Sequence, residues 1–230
     1  MANLKEIRTR IYSVESTMQI TSAMKMVSAA KLKRAQNMII QLRPYANKLT
    51  EMLINLSSSL NHSDGGKFLQ EREINNVLFV TITSNRGLCG GFNANIIKSI
   101  TALIRNSYKN CESSILSIGK KSSEYFSKNG YNVVGTYDNL YNEITFDAVS
   151  KIAENIMNDF TERKIDKVFL VYNQFKNAAT QIIVNENYLP VDFRENKTGK
   201  IDDYIFEPSK NKIIKELIPK SLKNQLYKAI

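Results

Sequence analysis

The 230-residue chain is poor in the residues that build metal, disulfide and thiol sites: it has two cysteines and one histidine. Cys89 and Cys111 allow at most one bridge, so no disulfide framework holds the fold together and a reducing compartment is expected. With His62 they cannot supply the four ligands of a typical structural zinc site. Long apolar runs are absent as well. Stretches such as Val77–Val80 are far too short to cross a bilayer. The N-terminus, Met-Ala-Asn-Leu-Lys-Glu-Ile-Arg, has no apolar core of the kind a secretory signal needs. Acid is scarce at both ends. Residues 1–60 hold nine bases and three acids, and residues 207–230 hold six and two. The intervening 61–206 hold seventeen of each, so the net charge of +10 lies on the two ends around a neutral middle. With 43% hydrophobic residues the chain has enough apolar material to bury a core, which excludes a disordered protein.

What is present begins with a long heptad register. Leu4, Ile7, Ile11, Val14 and Met18 alternate by three and four, and the same count continues at Leu32, Ala35, Ile39, Leu42, Ala46, Leu49, Leu53, Leu56 and Leu60. The register spans roughly eight heptads and predicts a helix over about residues 3–58, roughly 80 Å long. A domain of this size cannot bury such a rod, so a partner helix and a left-handed supercoil are expected. Pro44 falls inside the pattern without shifting it, which predicts a bend and not an end. Gly65-Gly66 is read as the close of the segment. In the middle the register lands on Thr21, Lys25 and Ser28, with Met24, Met26 and Val27 beside them. Two readings stand: a polar layer that sets register, or a place where the coil loosens to touch something other than itself.

Downstream, strand and helix alternate. Strands are predicted at 74–83, 114–118, 131–136 and 167–172, with a later pair at 179–184 and 187–191. Helices are predicted at 94–108, 120–128 and 146–163, and again from Pro208, with Pro219 as a point where that helix could restart. The fold class that follows is α/β: a Rossmann-like domain with a mostly parallel sheet, a long N-terminal coiled-coil helix and the start of a C-terminal helix. The expected division is 1–60, 61–207 and 208–230.

The loop Ser84-Asn-Arg-Gly-Leu-Cys-Gly-Gly-Phe-Asn93 lies between the first strand and a helix N-terminus, where anions often bind. It carries neither phosphate-loop nor dinucleotide-binding glycine spacing, and no lysine follows until Lys98. Gly87, Gly90 and Gly91 are therefore read as a tight structural turn, with Arg86 as a structural or interface residue. Cys89, which has no base near it in sequence, is read as a buried or semi-buried thiol and not a nucleophile. No set of acid, base and nucleophile converges, and no cofactor is expected.

Several motifs together resemble one family. They are Leu4-Lys-Glu-Ile-Arg8, Ile20-Thr-Ser-Ala-Met-Lys-Met-Val-Ser-Ala-Ala-Lys31, Arg43-Pro-Tyr45 and Ser84-Asn-Arg-Gly-Leu-Cys-Gly-Gly-Phe-Asn-Ala-Asn95. In order and spacing they are similar to the gamma subunit of the rotary F-type ATP synthase over essentially the whole chain. The resemblance implies a non-catalytic central stalk, with a basic shaft turning inside a ring of alpha and beta subunits. Its α/β foot would join the epsilon subunit and the membrane ring of c subunits. The assembly would be peripheral, on the cytoplasmic face of a bacterial plasma membrane. Met24, Lys25, Ser28 and Lys31 become candidate contacts with the catalytic ring.

Residues 222–230 resemble only the opening turns of the family's closing helix. A shaft lacking most of that helix is expected, with a wholly or partly non-functional fragment as the alternative. Ile7, Ile11, Val14, Leu42, Leu49 and Leu53 should then form an exposed apolar seam. A nucleic-acid-binding coil fits less well, because only Lys31, Lys33 and Arg34 cluster and heptads continue on both sides of them.

Overall fold

The computed structural model describes residues 3–57, 67–177, 180–192, 207 and 210–230. Two compact units are present, Met1–Tyr45 and Ala46–Ile230. The first is helix throughout its described length, the leading part of α1 (Leu4–Ser57), which continues unbroken through Pro44. The expected terminator Gly65-Gly66, the single histidine His62 and the helix start at Pro208 lie outside the described residues.

The second unit is built on a five-stranded sheet. Its elements after α1 are β1 (Asn76–Ile82), α2 (Phe92–Asn106), β2 (Glu112–Ile118), α3 (Lys120–Lys128), β3 (Asn132–Thr136), a 3-10 turn at Asp138–Asn142, α4 (Phe146–Thr161), β4 (Lys167–Phe175), β5 (Gln181–Leu189) and α5 (Lys210–Ala229). The strand order is β3-β2-β1-β4-β5, with the first four parallel and β5 antiparallel to β4. A mostly parallel Rossmann-like sheet, as expected, is thus what forms.

Side chains alternate across a strand, and β1 divides its residues accordingly. Val77 and Phe79 join Ile96 and Ile100 of α2 and Phe126 of α3 on one face. Leu78 and Val80 face the other way, into a core with Ile152, Ile156 and Phe160 of α4 and Ile214, Ile218, Leu222 and Leu226 of α5. A strand buried on both faces reads as a continuous apolar run, which is what 77–80 is.

Three expectations are corrected here. The strand pair at 179–184 and 187–191 is one strand, β5. Asn185-Glu186-Asn187, which looks like a turn, stays in the ladder opposite Val171, Leu170 and Phe169. Pro219 does not restart a helix, because α5 runs through it. Leu49 and Leu53 are not exposed. They are 5% and 3% accessible, because the last turns of α1 enter the same core cluster as the sheet, α4 and α5. Ile7, Ile11 and Val14 are exposed, as the seam requires, and Leu42 is half-buried.

One polar clamp closes the base of the sheet. Arg72 Nη2 donates to the carbonyls of Phe160 (2.7 Å) and Ile165 (2.9 Å), and its Nε lies 3.2 Å from Asp166 Oδ1. The guanidinium also stacks over the Phe160 ring, 4.2 Å from its centroid. Asp166 Oδ2 accepts the backbone N–H of Asn75 and Asn76, so the entry to β1 is tied to the entry to β4. Phe160 is in the last turn of α4, whose carbonyls have no partner inside the helix. The next residues turn out of the helix through Arg163, at φ 63°.

Candidate functional site

The first candidate surface lies on α1. Residues 24, 28 and 31 are spaced by four and three, so Met24, Ser28 and Lys31 share one helix face, with Lys25 adjoining Ser28. All four are exposed, and Met24, Met26 and Val27 are 57–68% accessible. Thr21 behaves differently from its neighbours. Its hydroxyl donates to the carbonyls of Thr17 (2.9 Å) and Met18 (3.0 Å), in the manner of Thr9 and Thr17 earlier on the same helix. A threonine folded onto its own backbone presents its methyl group outward. The polar interruption of the heptad register is therefore polar mainly at Lys25 and Ser28. Toward the N-terminus of the helix, Leu4, Ile7, Ile11, Val14 and Met18 are 45–74% accessible. Such a contiguous apolar stripe marks an interaction surface.

The second candidate is the glycine loop. In an open parallel sheet the ligand crevice lies beyond the C-terminal ends of the strands, where the strand order reverses. Here the connections out of β1 and β4 lead to opposite sides, and residues 84–91 occupy that position. The crevice is filled by the protein's own hydrogen bonds. Ser84 Oγ donates to the Arg86 carbonyl at 2.6 Å, and Ser84 N–H donates to Asn93 Oδ1 at 3.0 Å. Asn93 Nδ2 lies 2.9 Å from Ser84 Oγ and 3.1 Å from Cys89 Sγ. Asn85 reaches across to the Asp138 carbonyl (2.6 Å) and accepts the N–H of Lys120 (2.9 Å), while Asn173 on β4 donates to the Phe92 carbonyl (3.0 Å).

This turn holds Leu88 and Gly90 at φ 61° and 59°. Leu88 projects into solvent and Arg86 and Gly91 are exposed. Cys89, expected to be buried or half-buried, is exposed too, because the whole turn from 86 to 91 stands in solvent. Cys89 is surrounded by Ser84, Asn93 and the Arg86 carbonyl, none of which is a base. Among the described residues, no group of three or more His, Cys, Asp and Glu side chains could hold a metal ion.

Below the loop a buried hydroxyl layer joins β1, β2 and α3. Thr83 Oγ1 donates to Ser122 Oγ at 2.8 Å, Ser122 Oγ also pairs with Ser117 Oγ, and the Gly119 carbonyl accepts from both serines. Sequence reading missed this layer, and it missed the polar ties of α5. Tyr172 OH and Gln225 Nε2 both donate to Glu186, at 2.8 and 2.9 Å, and Lys223 pairs with Glu154. These partners stand 14 to 69 residues apart, so no local spacing signals them.

A family model described as ATP synthase matches residues 3–230. The ATP synthase gamma chain of Christiangramia forsetii is 52% identical over 230 residues, covering 100% of this chain and 80% of that one. That of Flavobacterium johnsoniae is 53% identical over 231 residues, with the same coverage. A central stalk chain from the Tetrahymena thermophila mitochondrial ATP synthase superposes with a TM-score of 0.63 at 24% identity, covering 91% of this chain and 90% of that one. That likeness concerns the fold.

Proposed function

The chain belongs to the ATP synthase gamma chain family, and from that footing we propose how it works in the complex. It acts as the central-stalk rotor: ion flow turns the membrane c-ring and this chain together, and the asymmetric shaft drives the catalytic beta subunits in turn through open and closed states. Residues 1–60 serve as shaft, 61–207 as foot and 208–230 as the return of the shaft. The nucleotide chemistry belongs to the beta subunits, so the chain itself is non-catalytic. Its partners are the alpha and beta subunits, epsilon and the c-ring. Among the described residues no helix is long and apolar enough to cross a membrane, and the chain associates peripherally, on the cytoplasmic face.

The observation that carries this reading is the exposed stripe from Leu4 to Met18 on a 54-residue helix, an apolar surface that calls for a covering partner. Met24, Lys25, Ser28 and Lys31 are the proposed contacts with the catalytic ring. A rotor must pass three equivalent positions in each turn. Charge attraction to an acidic surface guides such a contact without one tight fit, whereas deep interlocking anchors would stop rotation. The turn at Arg86, Gly87, Cys89, Gly90 and Gly91 is proposed to be structural, because its polar atoms are used within the loop.

The test is reconstitution. The chain should co-purify with alpha and beta subunits, ATP-driven ion pumping should require it, and the isolated chain should hydrolyse no ATP. Turnover by the isolated chain, or pumping without it, would overturn the reading.

A further inference from the structure

The shaft meets the foot where the last turns of α1 and helix α5 enter one core, to which Leu49 and Leu53 on the one and Ile218, Leu222 and Leu226 on the other belong. Apolar contact is non-directional. A helix seated only by such a stripe resists being pulled away from its sheet far better than it resists rolling about its own axis. A shaft under torque loads that roll. The polar contacts of α5 supply what the stripe lacks. Lys223 and Gln225 are two residues apart, which places them about 160° from each other around the helix axis. Lys223 Nζ reaches Glu154 of α4, and Gln225 Nε2 donates to Glu186 Oε1 on β5, so α5 is held from both flanks. Glu186 is itself fixed by Tyr172 of β4, whose phenol donates to its other oxygen. Between the two flanks, the buried Tyr188 donates its hydroxyl to the Leu222 carbonyl at 3.0 Å.

We infer that Glu154 and Glu186 are positioning residues that lock the roll of α5 on the foot, so that torque passes between sheet and shaft without slip. The inference rests on the central-stalk reading. It does not depend on the ties being strong. An exposed ion pair contributes at most about 1 kcal/mol to stability, and Glu154 is half exposed. What matters is direction, because hydrogen bonds weaken steeply when bent and two of them on opposite flanks oppose roll in both senses.

The experiment uses the assembled complex in membrane vesicles and records ATP hydrolysis together with the membrane potential that ATP generates. The variant Glu154→Ala, Tyr172→Phe, Glu186→Met removes both flanking ties and leaves no orphaned phenol against the sheet. We expect hydrolysis within twofold of the parent and a potential per ATP at least threefold lower. Glu154→Lys alone should lower the potential per ATP, and the swapped pair Glu154→Lys, Lys223→Glu should restore it. A potential per ATP unchanged in the triple variant would overturn the proposal, as would a swap no better than Glu154→Lys. So would hydrolysis and potential falling together with thermal stability, since that is the signature of a merely structural role. If vesicles lacking the chain altogether pump as well as the parent, the central-stalk reading itself fails. That outcome is distinct from failure of the lock.

Discussion

A methyl group placed on Gly119 would lie 1.9 Å from the carbonyl oxygen of Thr83. The backbone there is at φ 107°, outside the range of other residues, so sterics and conformation both require glycine. The close approach lets the end of β2 pack against the end of β1 and delivers the Gly119 carbonyl to Ser117 and Ser122. Gly119→Ala should cost about 3 kcal/mol or more from overpacking and strain together. For a domain of this size that lowers the thermal midpoint by roughly 6–12 °C, as calorimetry would read it. A midpoint within about 2 °C of the parent, less than 1 kcal/mol would produce, would mean the strand ends are free to separate.

The apolar register of α1 should divide sharply in its energetics. Leu49→Ala and Leu53→Ala remove side chains 5% and 3% accessible, and each should cost about 2–5 kcal/mol. Ile11→Ala, at a position 60% accessible, should change the stability of the isolated chain by less than about 0.5 kcal/mol. Denaturant titration of the isolated chain gives all three values. Equal losses at 11 and 49 would show that the chain covers its own seam in solution.

Arg72→Met should be costly although it adds apolar surface. It leaves Asp166 without its ion pair and removes the donor from the Phe160 and Ile165 carbonyls. Breaking a buried pair on one side costs about 3–5 kcal/mol. The double variant Arg72→Met, Asp166→Asn should recover part of that loss, because the neutral amide buries no charge and its oxygen can still accept from the backbone at 75 and 76. No recovery in a double-mutant cycle would mean that the cost lies in the lost bonds to the Phe160 and Ile165 carbonyls and the lost stacking on Phe160, not in the ion pair.

Burial raises the Tyr188 phenol well above its ordinary range, and burial with the neighbouring Glu186 does the same to Tyr172. Each contributes stability that is fully present below the unfolded-state pKa, near about 10, and is lost as pH climbs beyond it. Stability should therefore fall above that pH. Tyr188→Phe should cost about 1 kcal/mol at neutral pH through the lost bond to Leu222. It should also make the alkaline decline shallower, and parallel declines in the two proteins would rule out Tyr188 as a contributor.

Lys25→Glu with Lys31→Glu should leave the folding of the isolated chain unchanged, since both side chains are exposed. In the assembled complex it should lower ATP-driven pumping several-fold, more at low salt than at high salt because screening weakens surface charge. Unchanged pumping at every ionic strength would make the basic face incidental.

Much of the fold was legible because its signals are local. The register of α1 predicts residues 3–58 and the helix is Leu4–Ser57, while α3 falls at the expected 120–128. β5 reads as two strands because Asn185, Glu186 and Asn187 have turn chemistry. They occupy an edge strand, where the two asparagines are exposed and Glu186 is held by residues 14 and 39 positions away. The glycine loop was visible as a turn between strand and helix, but not that Asn85, Asn93 and Asn173 fill its crevice.

By itself the sequence determined the long heptad helix, the alternation of strands and helices, and the placement of +10 on the two ends. Periodicity and charge are properties of neighbours along the chain. Only the tertiary structure decided that the apolar register is divided in its burial, bare at Ile7, Ile11 and Val14 and covered at Leu49 and Leu53. A heptad pattern states which side of a helix seeks cover. Whether cover arrives depends on where the sheet and helices of the following domain, remote in the chain, come to lie.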